Sequence, residues 1–249
     1  MNIYYLVTIG AIVGYICGSI PFALIIGKLF YKTDVRNHGS GNLGSTNVAR
    51  TLGPLAGITV MILDVLKGGL PAFIMYKISE NVLINSPEFA HQAVYLSIVY
   101  CVTGVMSAIG HCHPLFANFK GGKAVASIFG FIVLMNWKLA VVGAVTYVLV
   151  LLITKIVSVS SITGAINVVI ACFIPYINEA HLFKHGELQN ELSVYIYYVC
   201  IIMLALLLIY KHIPNIKRIA LGQEKKFKFE HKKIKLERKN KSKLKDGSN

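Results

Sequence analysis

The stretch IYYLVTIGAIVGYICGSIPFALIIGKLF, residues 3–30, carries no charged side chain before Lys28. An α-helix rises about 1.5 Å per residue, so a run of this length can cross a hydrocarbon core about 30 Å thick. A cleaved signal peptide fits less well, because the run is too long for one and has no basic start. The stretch therefore predicts a membrane helix.

The rest of the chain has the composition of an integral membrane protein. Hydrophobic residues make up 55% and charged residues 14% of the sequence, and its mean hydropathy is +0.62, which is far from the average soluble composition. We expect an all-α, polytopic membrane protein with about seven transmembrane helices, some short or half-spanning, and five crossings are also compatible with the run lengths. The six further apolar runs are residues 52–76, 93–110, 125–135, 139–154, 162–177 and 194–210.

The basic residues lie mostly in alternate loops, and this asymmetry predicts the orientation. Because lysine and arginine collect on cytoplasmic loops, the N-terminus is expected outside and the C-terminus in the cytoplasm. The polar motifs described below then all lie on the cytoplasmic side. The basic residues that define this side are Lys28, Lys32, Arg36, Arg50, Lys120, Lys123, Lys155, Lys211, Lys217 and Arg218.

The formal net charge of +14 resides mostly in the C-terminal segment. Residues 217–249 contain thirteen lysines and arginines and four acids, a net charge of +9. Directly after a membrane helix, such a segment is more typical of contact with anionic lipid, at about 1 kcal/mol per basic residue, than of contact with nucleic acid. We therefore divide the chain into a membrane domain, residues 1–216, and a basic cytoplasmic tail, residues 217–249, and expect no nucleic-acid partner.

The segment RNHGSGNLGSTNVAR, residues 36–50, contains the spacing G-x-G-x-x-G at Gly39, Gly41 and Gly44. In a dinucleotide-binding fold a short strand leads into these glycines, and an acid such as Asp64 follows about twenty residues later. Here a membrane helix precedes the glycines, which argues against that fold. A loop rich in Gly, Ser, Asn and Thr beside membrane helices instead offers N–H groups and short polar side chains that can wrap an anion.

The segment FKGGKAVAS, residues 119–127, offers the same chemistry. Gly121 and Gly122 let the backbone approach a ligand closely, Lys123 adds a point charge, and the free N–H groups of the apolar helix that follows favour an anion. The segment is not a Walker loop, because the first glycine of G-x-x-x-x-G-K is missing and Ala124 follows the lysine. The alternative for both segments is that the glycines only permit the turns of an ordinary loop.

Two further polar clusters border apolar runs. KIVSVSSIT, residues 155–163, contains Ser158, Ser160 and Ser161, and YKHIPNIKR, residues 210–218, contains His212 and Asn215. The last two share a helical face if the helix continues through the intervening proline. Each cluster alone is also typical of an ordinary membrane helix or helix end. Together the four clusters supply cations, hydroxyls and amides with almost no carboxylates, a combination that suits phosphate.

The sequence gives little support for a metal or another cofactor. The motif HCH at His111, Cys112 and His113 resembles a metal nucleus, but a zinc site needs about four ligands and no partner cluster is visible. The other cysteines lie in apolar runs without a C-x-x-C pair, so we expect reduced thiols. We expect neither a metal nor another cofactor.

Several long segments resemble the bacterial acyl-phosphate-dependent glycerol-3-phosphate acyltransferases of the membrane. GSGNLGSTNVAR, GHCHPLFANFKGGK, the serine cluster and HIPNIKR are similar to the signature segments of that family, in the same order, and DVLKG at residues 64–68 is similar as well. The resemblance extends from the first helix to about Glu224. The chain has Ser45, Ala124 and Lys211 where the family is expected to have Ala, Gly and Arg, and Ala124 restricts the loop beside Lys123 more than glycine would.

The resemblance implies a reaction, a fold and a set of site residues. An acyl group passes from acyl phosphate to the 1-hydroxyl of glycerol 3-phosphate, giving lysophosphatidic acid and phosphate, the first acylation of phospholipid synthesis. A seven-helix fold in a bacterial plasma membrane is expected to present this site to the cytoplasm. With Gly121 and Gly122, the carried-over residues are the phosphate-site candidates Ser40, Asn42, Thr46, Asn47, Arg50, Lys123, Ser158 or its neighbours Ser160 and Ser161, His212 and Asn215. The catalytic candidates among them are Ser40, Lys123 and His212.

Two ways of activating the hydroxyl stay open. Soluble-type glycerolipid acyltransferases use an H-x-x-x-x-D dyad, and no histidine of this chain has an aspartate five residues later. An acyl phosphate is already an activated mixed anhydride, so orientation of two phosphates and stabilisation of developing charge can suffice. We therefore favour proton transfer to the phosphate of the donor, with His212 as a general base as the alternative.

Other membrane proteins also handle phosphate groups. A phosphatidyl-type alcohol phosphotransferase needs an Asp-rich metal motif, which the two membrane-side aspartates, Asp34 and Asp64, cannot build. A phosphate or organophosphate transporter, our second functional hypothesis, is expected to show repeat symmetry, and the sequence has no repeat with a period of about 20 to 50 residues. Asp64 and Lys67, three residues apart, suit a local ion pair better than a substrate contact.

Single-cysteine labelling tests the predicted orientation. In a chain whose five native cysteines have been replaced, a membrane-impermeant maleimide should not reach cysteines placed at Ser40 or Lys239 from outside intact cells. The same reagent should label a cysteine at Glu187, which lies in a loop of the opposite side. External labelling at the Lys239 position would contradict the orientation.

Overall fold

The computed structural model describes residues 3–83, 92–174, 176–177 and 191–227. These residues form nine α-helices and contain no β-strand, which confirms the predicted all-α membrane fold. Short 3₁₀ turns lie at Val35–Asn37 and Leu115–Ala117. The helices are α1 (Ile3–Gly18), α2 (Phe22–Tyr31), α3 (Ser45–Leu52), α4 (Pro54–Leu83), α5 (Gln92–Cys112), α6 (Val125–Met135), α7 (Trp137–Thr154), α8 (Val157–Ala171) and α9 (Glu191–Ala220).

Five helical stretches of the described chain are long and apolar enough to cross a membrane. The helices α6 and α8 are apolar but shorter, with 11 and 15 residues. The choice between five and seven crossings therefore depends on these two helices. The number of crossings and the orientation of the termini stay predictions. The five long stretches are Ile3–Tyr31, Pro54–Leu83, Ala93–Ala117, Trp137–Thr154 and Leu192–Ala220.

The first apolar run is not one continuous helix, although its composition predicted one. It divides between Gly18, where α1 ends, and Phe22, where α2 begins, because Pro21 has no N–H group to continue the helical hydrogen bonds. The Lys67 ammonium donates a hydrogen bond of 2.8 Å to the carbonyl of Ile20. The Ile20 carbonyl, which lies at the break between α1 and α2, is therefore hydrogen-bonded to a side chain of α4.

Glycines let pairs of helices approach closely. In a membrane, helices gain stability from close packing, and small residues at the interface allow it. A Cβ atom at Gly14 of α1 would collide with the Thr103 carbonyl of α5, and one at Gly130 of α6 would collide with the Val65 carbonyl of α4. The second contact holds the short helix α6 against the long helix α4.

Three buried aromatic residues join α5, α6 and α9. Tyr100, Phe131 and Tyr197 are fully buried, and the ring centroid of Phe131 lies 4.9 Å from that of Tyr100 and 6.4 Å from that of Tyr197. The Tyr100 hydroxyl also donates a 2.7 Å hydrogen bond to the Phe131 carbonyl, so its polar atom has a partner in the apolar interior.

Two helices extend beyond the apolar runs that predicted them. Because α8 begins at Val157, the serines of the KIVSVSSIT segment lie in its first turns and not in a connection between helices. The last helix, α9, continues through Pro214 and past the predicted start of the tail to Ala220. His212 and Asn215 therefore lie on one helix, three residues apart, as a common face requires.

The segment that follows α9 turns back toward the start of α8. The Phe227 N–H group donates a 2.7 Å hydrogen bond to the Lys155 carbonyl, and the Arg50 guanidinium lies 5.9 Å from the centre of the Phe227 ring. Residues 228–249 of the basic tail lie outside the described residues, as do the labelling positions Glu187 and Lys239. Contact of the tail with anionic lipid stays a prediction.

Candidate functional site

A cavity of about 910 Å³ brings together segments that are far apart in the sequence. Polar side chains line one end of it, and apolar side chains of α4, α6, α7, α8 and α9 line the rest. Eleven of the thirteen candidate site residues line the cavity, and Gly122 and Ser160 do not. The eleven are Ser40, Asn42, Thr46, Asn47, Arg50, Gly121, Lys123, Ser158, Ser161, His212 and Asn215.

Asn47 holds the first polar loop in shape. Its Oδ1 atom accepts a 2.8 Å hydrogen bond from the Ser40 N–H group, and its Nδ2 atom donates to the carbonyls of Val35 and His38. Gly39 adopts a φ of +63°, and a Cβ atom there would collide with the Asn47 amide. The amide of Asn47 is therefore bonded within the loop, so it positions Ser40 at the cavity rather than being free for a ligand.

The helix α3 carries the next candidates. Thr46 and Arg50 are four residues apart, on one face of the helix, and both line the cavity. The Arg50 guanidinium also lies 3.4 Å from the Lys225 carbonyl, to which it donates a hydrogen bond. Asn42, in the loop before the helix, accepts a 3.0 Å hydrogen bond from the Gly44 N–H group through its side chain.

The two glycines of the FKGGK segment pack against the end of α5. The Gly122 N–H group donates a 3.0 Å hydrogen bond to the His111 carbonyl, and a Cβ atom at Gly122 would collide with the His111 ring. A Cβ atom at Gly121 would meet the His111 carbonyl. Gly122 is thus needed for packing, which explains why it does not line the cavity.

Ala124 adopts a conformation that suits glycine. Its φ of +58° lies in the left-handed region, and its side chain is fully buried immediately before α6. A residue with a Cβ atom costs roughly 1 kcal/mol more than glycine in this region. Ala124, one of the positions at which the chain differs from the family pattern, therefore lies where the backbone turns from Lys123 into α6.

Lys123 is bonded directly to α9. Its Nζ atom donates a 2.5 Å hydrogen bond to Oδ1 of Asn215. The Nδ2 atom of Asn215 in turn donates to the Ser158 hydroxyl at 2.7 Å and to the Glu224 carboxylate at 2.6 Å. The glycine loop, α8 and α9 are therefore joined through a single amide, and Ser158 is the serine of its cluster that takes part.

Glu224 completes this cluster, and it is not among the residues that the sequence predicts for the site. Its carboxylate accepts hydrogen bonds from Ser158 at 2.6 Å and from Arg218 at 2.7 Å, in addition to the one from Asn215. Burial raises the pKa of Glu224, but these three hydrogen bonds outweigh it and keep the pKa below its usual value. The only sequence signal for this role is an acid shortly after α9, which the sequence does not distinguish from the other charges of the tail.

The cavity has more positive than negative charge around Lys123. Burial is the main cause that lowers the pKa of Lys123 to about 8, and the positive charges of Arg218, Arg50 and Lys211 lower it further, while Glu224 opposes the shift. A bound anion would restore the preference of Lys123 for its charged form. The polar end of the cavity is therefore suited to an anionic ligand.

His212 is held by its own helix. Its Nδ1 atom lies 2.8 Å from the Leu208 carbonyl, so Nδ1 carries the hydrogen and Nε2 keeps its lone pair for a ligand in the cavity. The group that orients the ring is a backbone carbonyl and not a carboxylate. This differs from the arrangement in which a carboxylate stabilises a protonated histidine.

Ser160 and Ser161 donate their hydroxyls to the backbone of α8. The acceptors are the carbonyls of Ile156 at 3.0 Å and Val157 at 2.9 Å. Ser160 is fully buried away from the cavity, whereas Ser161 lines it. Of the three serine candidates, Ser160 is therefore the one that the structure separates from the site.

Asp64 and Lys67 form the local ion pair that their spacing predicted. The Lys67 ammonium lies 2.9 Å from the Asp64 carboxylate, and both side chains are almost fully buried. The Nδ1 atom of His111 lies 3.6 Å from the same carboxylate, and Asp64 and His111 both line the cavity. Asp64, Lys67 and His111 therefore lie next to the FKGGK segment, because the His111 ring packs against Gly122.

The HCH motif also has a structural account. His111 packs under the glycine loop, and Cys112 is fully buried at the end of α5. Across the described ranges, no three His, Cys, Asp or Glu side chains lie close enough to hold a metal ion.

Asp34, the other membrane-side aspartate, is bonded to Arg36. The hydrogen bonds from Arg36 are the main cause that lowers the pKa of Asp34 to about 2.

Comparison with known proteins gives one consistent family. The sequence model of the glycerol-3-phosphate acyltransferase family matches residues 8–222. A glycerol-3-phosphate acyltransferase 3 of Bacillus anthracis is 37% identical over 221 residues, which cover 89% of this chain and 95% of that protein.

Two crystal structures of PlsY (YgiH), an integral membrane glycerol 3-phosphate acyltransferase, have the same fold as this chain, each with a TM-score of 0.70. The glycerol 3-phosphate form is 32% identical, and the match covers 89% of this chain and 96% of that one. The lysophosphatidic acid form is 30% identical, with 90% and 96% covered.

The lowered pKa of Lys123 predicts a pH dependence of anion binding. Sulfate is a suitable probe, because it stays a dianion between pH 6 and about 10, where lysine titrates. Its affinity should be constant below about pH 8, where Lys123 is charged, and should fall by up to about tenfold for each pH unit above it, since binding must then take up a proton.

The matched control is Lys123→Arg, which stays charged throughout this range. Calorimetric titrations with sulfate should show the decline for the unmodified chain and no decline for the arginine variant. An affinity that does not change with pH in the unmodified chain would show that Lys123 does not contact the anion.

Proposed function

The chain belongs to the glycerol-3-phosphate acyltransferase family, and we propose that it transfers the acyl group of an acyl phosphate to the 1-hydroxyl of glycerol 3-phosphate. The products are lysophosphatidic acid and phosphate. The observation that carries the proposal is a single cavity with a cationic, amide-rich end and a long apolar remainder. Such a cavity suits a reaction in which two phosphates and one acyl chain must meet.

The polar end of the cavity has groups for two phosphates. Lys123, held in place by its hydrogen bond to Asn215, supplies one group, and Thr46 and Arg50 of α3 supply a second group in the same cavity. Ser40 lies on the exposed loop beside α3. We assign the phosphates to these groups because charge-assisted hydrogen bonds from lysine and arginine are the strongest that a phosphate receives in proteins.

The chemical step needs little beyond orientation. The 1-hydroxyl oxygen of glycerol 3-phosphate attacks the acyl carbonyl carbon, and the bond from that carbon to the phosphate oxygen breaks. The hydroxyl proton passes to the departing phosphate, so atoms and charges balance without another reactant. In this proposal the Lys123 ammonium stabilises the negative charge that develops on the leaving phosphate.

His212 serves as a phosphate ligand in this scheme. Its Nδ1–H group is bonded to the Leu208 carbonyl, so only Nε2 is available in the cavity. A neutral Nε2 atom accepts a hydrogen bond from a protonated phosphate oxygen or a hydroxyl. The general-base alternative uses the same atom to take the hydroxyl proton, and kinetics separate the two roles.

The cell membrane of a bacterium, with the cavity facing the cytoplasm, is the proposed location. The support is the charge asymmetry of the loops, because the polar end of the cavity is formed by the same segments that carry the basic residues. The proposal includes no metal or cofactor.

An assay of the purified chain in lipid nanodiscs tests the proposed function. Phosphate release should require acyl phosphate and glycerol 3-phosphate together, and the lipid product should contain one acyl chain. Glycerol 3-phosphate uptake into vesicles without any acylated product would favour a transporter and contradict the proposal. Release of phosphate from acyl phosphate alone would indicate a hydrolase.

The variant His212→Gln separates the two mechanisms. If His212 binds phosphate, the loss should appear substantially in KM for a phosphate substrate, because glutamine retains part of the contact. If His212 is the base, kcat should fall by about a hundredfold to ten-thousandfold, and the limb of the pH–rate profile that the histidine produces should vanish.

We expect the first pattern, because a backbone carbonyl and not a carboxylate orients the ring. Tyr210→Phe is the matched control, since Tyr210 is exposed on the same helix. A pH–rate limb that disappears in His212→Gln with KM unchanged would contradict transfer of the proton to the donor phosphate.

A further inference from the structure

The apolar part of the cavity follows one face of each of three helices. Lining positions recur at steps of three or four, the spacing of one helical face. All three faces begin at the polar end, since α6 and α8 start there and α9 ends there. The lining positions are 125, 126, 128, 129 and 132 of α6, 157, 158, 161, 164, 165 and 168 of α8, and 218, 215, 214, 212, 211, 208, 205 and 201 of α9.

The lining stops on all three helices, at Ile132, Val168 and Ile201. One turn further along the same faces lie Met135, Cys172 and Tyr197. All three are buried, at 0%, 2% and 0% exposure, and none of them lines the cavity. They belong to one continuous buried cluster with Phe131, so the cavity has a closed floor.

The floor lies deep in the bundle. The ten residues from Ser158 to Val168 correspond to about 15 Å of helix, and the fourteen from Asn215 to Ile201 correspond to about 21 Å. The floor is therefore at roughly half the depth of a hydrocarbon core about 30 Å thick. Between the polar end and the floor the walls include Ala205 and also Gly143 and Gly164, at which α7 and α8 pack closely.

We propose that Ile132, Val168 and Ile201 set the upper limit on the length of the acyl chain that this enzyme accepts. The inference rests on the proposed function, because it requires the acyl phosphate to lie with its phosphate at Lys123 and its chain toward the floor. Each methylene buried between the two ends improves binding of the donor by about fourfold, which corresponds to about 0.8 kcal/mol. A methylene that reaches the floor gains nothing and must displace packed side chains.

Substitutions at the floor should move the chain-length optimum in two opposite directions. Ile201→Ala opens space at the floor and should shift the optimum of kcat/KM toward longer acyl phosphates. Ile201→Phe and Val168→Phe fill the same space from two different helices and should shift the optimum toward shorter donors, with about a tenfold or larger loss for the longest ones. KM for glycerol 3-phosphate should be unchanged in all three.

The measurement is a series of kcat/KM values for saturated acyl phosphates of increasing length, with the full chain in nanodiscs. Val199→Phe is the matched control, because Val199 is on α9 two residues from Ile201 but is 57% exposed on the outer face of the helix. Its chain-length profile should equal that of the unmodified enzyme. Thermal unfolding in detergent confirms that each variant is folded, and the two phenylalanine variants are independent of each other.

Two results would overturn the inference, and they are distinguishable. Identical chain-length profiles for the unmodified enzyme and the floor variants would show that the acyl chain leaves the cavity sideways into lipid, while the proposed function stands. No acyl transfer by the unmodified chain from any acyl phosphate would refute the proposed function as well. Opposite shifts for Ile201→Ala and Ile201→Phe support the inference.

Discussion

The 2.5 Å hydrogen bond between the Lys123 ammonium and the Asn215 amide is the interaction on which the polar half of the structure depends. Burying an ammonium group is costly unless it has partners, and Asn215 supplies a neutral one. The same amide bonds Ser158 and Glu224, so the start of α6, the start of α8 and the end of α9 are held at one place. Glu224 only partly offsets the effect of burial and of the neighbouring cations, so the pKa of Lys123 is lowered to about 8 and an anion is a suitable ligand.

Much of this site could be predicted from local sequence, because its polar residues occur in short clusters at the ends of apolar runs. Lys123, His212 and Asn215 are visible in this way, and the three helices that carry the cavity follow from the apolar runs themselves. Glu224 could not be predicted, because its partner Ser158 is 66 residues away and nothing local distinguishes it from the acids of the tail. The contact of Gly122 with His111 joins residues only eleven positions apart, but it depends on how the chain turns between α5 and the glycine loop, which the residue types do not specify. The break at Pro21 follows from proline chemistry and not from hydrophobicity, because the apolar composition is the same on both sides of it.

The bilayer explains why the two halves of the cavity differ so strongly. Polar side chains inside a membrane protein need partners, and those of Asp64, Lys67 and Asn215 find them in other buried groups. Apolar side chains need none, so the part of the cavity that they line on α6, α8 and α9 requires no polar partner. A substrate with an anionic head and an apolar chain matches this division. Its head balances the positive charge around Lys123, and its chain lies along the apolar part of the cavity.

A structure of this chain with the acyl phosphate donor bound tests the central claim most directly. The account predicts a phosphate oxygen within hydrogen-bond distance of the Lys123 Nζ atom, with the glycine loop, α8 and α9 still joined through Asn215. A phosphate bound elsewhere in the cavity, with Lys123 bonded to protein groups alone, would contradict it.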